Sequence, residues 1–124
     1  MRTLIVDDSR FIREYLRQHL EHMGVETLQA EDGVEALAVL RGGECFDLML
    51  IDVNMPRMSG LDCVEALRNE GLDPEMKVMM VTTEADHSFI HRAFENGADE
   101  FLMKPFTPQS LREKLLLLGF SFAA

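Results

Sequence analysis

The sequence predicts an α/β domain with a five-stranded, doubly wound parallel sheet flanked by five helices. Three observations lead there. Short apolar runs alternate with amphipathic helical patterns five times. Two of the runs are almost continuously apolar, the pattern of parallel strands covered on both faces. Glycine closes helical patterns at Gly24, Gly42-Gly43, Gly71 and Gly97. Strands joined this way through helices are parallel, with right-handed crossovers.

The first strand is expected over Thr3–Val6 and the second over Val25–Ala30. Phe46–Val53 and Lys77–Thr82 are the clearest strands, with Phe46, Leu48, Met49, Leu50 and Ile51 nearly unbroken. The fifth is expected over Glu100–Met103, and it and the second lie closer to the sheet edges. In the first helix Ile12, Tyr15, Leu16, Leu20 and Met23 recur at spacings of three and four. The second opens with Asp32-Gly33-Val34-Glu35, which reads as a capping box. The third starts near Ser59, with Leu61, Val64 and Leu67 inward. The fourth uses Ile90, Ala93 and Phe94 as its inner face. The fifth opens on Thr107-Pro108, a cap followed by proline where a missing N–H costs nothing, and turns Leu111, Leu115 and Leu118 inward.

The 124 residues suit one domain, expected to span 1–124 without an output domain, and the 47% hydrophobic content suits a packed core. A net charge of −10 argues against nucleic-acid partners and against anionic membranes. No apolar run approaches the ~18 residues of a membrane span. The opening Met1–Val6 turns acidic at Asp7, so it reads as a strand and not as a signal peptide. Cys45 and Cys63 lack metal or disulfide-framework spacing and read as reduced thiols of a cytoplasmic protein.

Open α/β sheets bind ligands beyond the carboxyl ends of their strands. Four of the five expected strands end in a charged or hydroxyl residue: Asp7-Asp8, Asp52, Thr82-Thr83 and Lys104-Pro105. Asp7-Asp8 alone fits a turn plus a helix cap, and Asp52 alone fits a strand-ending turn. Lys104 alone fits an ion pair. Together they describe a cleft where crowded carboxylates need a cation, and hard oxygen ligands suit Mg²⁺. Lys104 and Thr82 are the cation and hydroxyl donor that a phosphoryl group requires. Phosphate-binding glycine loops and a G-x-S-x-G elbow are absent from the sequence. His19, His22, His87 and His91 fall on expected helices.

The ordered segments Leu4–Ser9, Asp47–Pro56, Met58–Leu61, Met79–Glu84 and Gly97–Phe106 resemble those of the response-regulator receiver family of two-component signalling, over Arg2–Leu118. The resemblance implies a flavodoxin-like strand order 2-1-3-4-5. It implies that Asp52 is the phosphoacceptor, that Asp8 and Asp52 bind Mg²⁺ directly, and that Asp7 acts through water and Asn54 through its backbone carbonyl. It gives Lys104 and Thr82 the phosphoryl oxygens, Thr82 and Phe101 the switch, and Asn54 and Glu84 the tuning of acyl-phosphate hydrolysis. Phe101 lacks the hydroxyl of the tyrosine common at this position. The implied phosphodonor is a sensor histidine kinase. The implied output face is the fourth helix, fifth strand and fifth helix, with Phe89, Ile90 and Phe106 among its contacts and a flagellar switch component as one target. The Met79–Glu84 run and the Leu-Leu-Gly-Phe ending look chemotaxis-type. The alternatives are a phosphorelay intermediate or phosphate sink, a module that is never phosphorylated, and a haloacid-dehalogenase-type phosphatase. That last class uses a second aspartate where this sequence has Asn54.

Overall fold

The computed structural model describes residues 1–83 and 86–122. The elements run β1 (Arg2–Val6), α1 (Arg10–His22), β2 (Glu26–Ala30), α2 (Gly33–Arg41), β3 (Leu48–Asp52), α3 (Gly60–Asn69), β4 (Lys77–Thr82), α4 (His87–Glu95), β5 (Glu100–Met103) and α5 (Pro108–Leu117). The strands form one sheet in the order β2-β1-β3-β4-β5, all pairs parallel, as expected from the sequence. Strand β3 is shorter than the expected Phe46–Val53. The Phe46 amide instead donates to the Asp73 carboxylate at 2.8 Å, and Val53 already belongs to the following loop.

Alternation along the strands divides the core in two. Leu4, Val6, Met49, Ile51, Val78 and Met80 face the helices α2, α3 and α4. Ile5, Leu48, Leu50, Met79 and Val81 face α1 and α5, where Leu16, Leu20, Leu111 and Leu115 complete the layer. Strands β3 and β4 therefore carry buried side chains on both faces, and that is why their sequences do not alternate in polarity.

Side-chain caps start the helices, and those of α2, α3 and α5 lie where the sequence places them. Ser9, Asp32, Ser59, Asp86 and Thr107 each accept a hydrogen bond from a first-turn amide. Two details correct the sequence reading. The reciprocal capping box is at Thr107 and Ser110, not at Asp32 and Glu35. One Asp32 oxygen caps α2 through the Glu35 amide at 2.8 Å, while the other takes the Arg57 guanidinium at 2.6 Å. In α4, Ala93 is buried, Phe94 is 43% exposed, and Phe89 is the aromatic packed against the core. A nine-residue helix seated over a sheet edge has room for few inward side chains, so the expected Phe94 contact goes to solvent and to Phe101.

Candidate functional site

The sheet reverses its winding between β1 and β3, and their register sets the site. Val6 pairs with Ile51, so Asp7 and Asp52 reach the rim side by side. Asp52 pairs with Val81, and Thr82 pairs with Met103. Thr82 and Lys104 therefore arrive at the same end, and the Lys104 amide donates to the Thr82 carbonyl at 2.8 Å. Four residues separated by up to 97 positions in sequence meet because four parallel strands all end at one edge.

Asp7, Asp8 and Asp52 each turn one carboxylate oxygen into a group whose members lie within 4.8 Å of one another. Asp7 is 1% exposed and Asp52 8%, whereas Asp8 is open to solvent. Lys104 Nζ sits 3.1 Å from Asp7 Oδ2 and 3.4 Å from Asp52 Oδ1. Among the described residues this ammonium is the one cation touching those two side chains. The Val53 amide donates to Asp52 Oδ1 at 2.8 Å, and the Ser9 amide to Asp7 Oδ1 at 2.9 Å. Burial and then the Asp7 charge push the Asp52 carboxyl above the ordinary aspartate range, and Lys104 pulls it partly back. Three clustered carboxylates beside one ammonium, which touches Asp7 and Asp52, leave surplus negative charge. A divalent ion preferring hard oxygen ligands fits that surplus and the exposed Asp8 edge.

Thr82 is fully buried and Thr83 exposed. Asn54 is exposed, two residues past Asp52. Glu84 lies outside the described residues. Phe101 is half-buried on the far side of β5, edge-on to Phe94 with ring centroids 6.5 Å apart and with Lys114 Nζ 4.3 Å from its own centroid. The Lys104–Pro105 bond is cis.

Sequence reasoning missed the residues that hold these loops. Arg13 donates to the Asp7 carbonyl at 2.6 Å and to Gln29 at 3.0 Å, tying α1 to the end of β1. Gly60 begins α3 so close to β3 that a Cβ there would overlap the Asp52 carbonyl, and its amide donates to Val53 O at 2.8 Å. Arg57 takes a left-handed φ of 67° and reaches the buried Asp32, anchoring the β3–α3 loop to α2. Asp32 is held below the usual carboxylate range, first by the Glu35 amide and also by Arg57. The available signal for Gly60 was a glycine at a helix start next to an expected site. Arg13 and Arg57 carried no pattern of their own.

The profile of the response regulator receiver domain matches residues 3–116. This chain belongs to the response regulator receiver family. It is similar to chemotaxis protein CheY1 of Helicobacter pylori, 39% identical over 121 residues, or 96% of this chain and 98% of that protein. It is 40% identical over 116 residues to a chemotaxis protein CheY homolog of Campylobacter jejuni, covering 93% of this chain and 89% of the relative. Among solved structures, the Vibrio cholerae chemotaxis response regulator CheY4 superposes with a TM-score of 0.87 at 36% identity, covering 94% of this chain and 97% of that one. The receiver is thus a CheY-like signalling domain. Among the described residues no helix is long and apolar enough to cross a membrane.

Proposed function

We propose that this receiver accepts a phosphoryl group on Asp52 from a phosphohistidine of a sensor histidine kinase and signals to a chemotaxis-type target. The observation that carries this is the crowding of Asp7, Asp8 and Asp52, with one ammonium touching Asp7 and Asp52 and with Asp52 buried. An oxygen of Asp52 bonds to phosphorus as the bond from phosphorus to the donor nitrogen breaks and the imidazole leaves with the electron pair. Positioning and charge neutralisation supply the acceleration. Lys104, already between Asp7 and Asp52, takes a phosphoryl oxygen, and the Thr82 hydroxyl takes another. Asp8 and Asp52 would hold Mg²⁺, with Asp7 through water and the Asn54 carbonyl completing the set; bound there, the ion neutralises phosphoryl charge. Asn54 and Glu84 tune how fast water removes the phosphoryl group.

The new charge of roughly −1.5 to −2 gives Thr82 and Lys104 an anion to close on. That closure favours packing of Phe101 inward and alters the α4-β5-α5 face, where Phe94 is exposed and Phe89 and Phe106 are half-buried. A component of the flagellar switch is the fitting target class, in keeping with the chemotaxis proteins this chain is similar to. The domain works in the cytoplasm, without nucleic-acid or membrane partners, in keeping with the net charge of −10.

Intact mass after incubation with a small acyl phosphate and Mg²⁺ tests the chemistry. The expected result is one phosphate adduct in the wild type and none in Asp52→Asn. An adduct persisting in that variant removes Asp52 from its role. Metal titration of Asp8→Ala tests the ligand set, and unchanged Mg²⁺ affinity contradicts it.

A further inference from the structure

The loop that follows Asp52 carries a strained backbone. Arg57 sits at its tip with a φ of 67°, and the Met58 amide donates across it to the Pro56 carbonyl at 2.8 Å. A bond spanning one residue at positive φ makes a γ-turn of the rare, strained hand, which an arginine adopts only at a steric cost. Such a conformation persists where surrounding contacts hold it. Two contacts do so here, and both reach the start of α2. Arg57 Nε and Nη2 donate to one Asp32 oxygen at 2.8 and 2.6 Å, and Asp32 is 4% exposed. The other Asp32 oxygen caps α2 through the Glu35 amide, so the acceptor is itself fixed. Beside it, the Met58 side chain packs so closely on Gly33 that a Cβ there would lie 3.1 Å from Met58 Cγ. The base of the same loop bears on Asp52. The Val53 amide donates to Asp52 Oδ1 at 2.8 Å, the oxygen that also faces Lys104 Nζ at 3.4 Å. The Val53 carbonyl accepts from the Gly60 amide at 2.8 Å, and Gly60 lies against the Asp52 carbonyl. The loop is thus closed at its base on Asp52 and pinned at its tip to α2.

We propose that Arg57 is a positioning residue for the metal site: by holding the turn onto Asp32 it fixes the Val53 amide, and with it the direction of the Asp52 carboxylate toward a divalent cation. The inference rests on Asp52 and its neighbours being the Mg²⁺ site. Arg57 acts through the loop, because its salt bridge is with Asp32 and not with a carboxylate of the cluster. The sign of its effect separates positioning from charge. As a positive charge, Arg57 opposes a cation bound at the cluster, so its removal strengthens binding electrostatically. As a positioning residue, its removal loosens the loop and weakens binding.

The test is calorimetric titration of the full chain with Mg²⁺, well below its unfolding temperature. Arg57→Ala keeps the backbone strain and loses the pair with Asp32. It is expected to weaken Mg²⁺ binding about tenfold, the low end of what a lost partner behind a metal ligand costs. Arg57→Gly also loses the pair, but glycine adopts the turn without steric cost, so this variant is expected to recover most of the lost affinity. A purely structural Arg57 would lower stability and leave the affinity of the folded chain unchanged. Binding that is unchanged or tighter in Arg57→Ala, or as weak in Arg57→Gly as in Arg57→Ala, overturns the positioning role and leaves the site reading intact. An Asp52→Asn affinity equal to that of the wild type overturns the site reading and the inference with it.

Discussion

The two ends of the sheet carry the same residue type and use it in opposite ways. At the amino end, an aspartate precedes each of β3, β4 and β5, and each stands apart from the others and accepts from a backbone amide of a distant segment. Asp47 accepts from the Arg2 amide at 2.7 Å, and Asp73 from the Phe46 amide at 2.8 Å. Asp99 accepts from the Val78 amide at 2.8 Å and from Arg68 at 3.1 Å. Arg68 spends its remaining donors on the Gly97 and Met76 carbonyls, where a Cβ on Gly97 would collide with it. At the carboxyl end Asp7, Asp8 and Asp52 crowd together, and one ammonium reaches Asp7 and Asp52. Separate carboxylates staple loops; crowded ones raise one another's pKa and suit a cation. Aspartate content does not separate the two ends. The crowding of the carboxylates does.

Substitutions at the two ends should accordingly separate chemistry from stability. The largest effect is the loss of the adduct in Asp52→Asn described above. Next, Lys104→Ala is expected to slow adduct formation about 100-fold, the usual cost of one missing charge-stabilising donor. Stopped adduct formation at matched Mg²⁺ measures it, and a rate near wild type would mean that the two carboxylates need no shared ammonium. At the opposite end, Arg68→Ala should cost about 2 kcal/mol in urea unfolding while leaving adduct formation unchanged. A slowed reaction there would erase the distinction between the ends.

A pH series sharpens the comparison further. The Asp52 carboxyl is raised when folded, so its neutral form is the one the fold prefers. Its stabilising contribution is complete below the unfolded value of about 4 and is lost as pH rises through the folded value. Without metal, Asp52→Asn should therefore melt higher than wild type at neutral pH, and the gap should close as pH falls toward 4. Mg²⁺ should raise the wild-type Tm and narrow the same gap. A gap independent of pH would assign it to packing. The smallest effect concerns Thr3 in β1, a fully buried residue whose hydroxyl has no partner among the described residues. Thr3→Val should stabilise by about 1 kcal/mol, or about 4 °C in Tm, with the chemistry intact.

Much of this was legible from the chain alone. The unbroken apolar run through Leu48–Ile51 specified a two-sided buried strand, and the capping residues Ser59 and Thr107 specified helix starts. Asp7, Asp8, Asp52, Thr82 and Lys104 were recognisable because each ends a strand, and parallel strands must end on one rim. The Phe94 and Asp32 readings failed for one shared reason. Periodicity shows which face of an element is apolar, but not how much of that face a neighbour covers or which distant group competes for a cap.

What the sequence determined, then, is everything carried by local pattern: the order of elements, the two-layer burial of the strands and the residue types delivered to the rim. Only the tertiary structure decided which donors reach which carboxylates. Arg13 on the Asp7 carbonyl, Arg57 on Asp32, Arg68 on Asp99 and Lys104 between Asp7 and Asp52 all join separate elements. The reason is physical. Strand and helix formation answer to neighbours a few residues away, whereas the pairing of a charge depends on the packing distance between elements far apart in the chain.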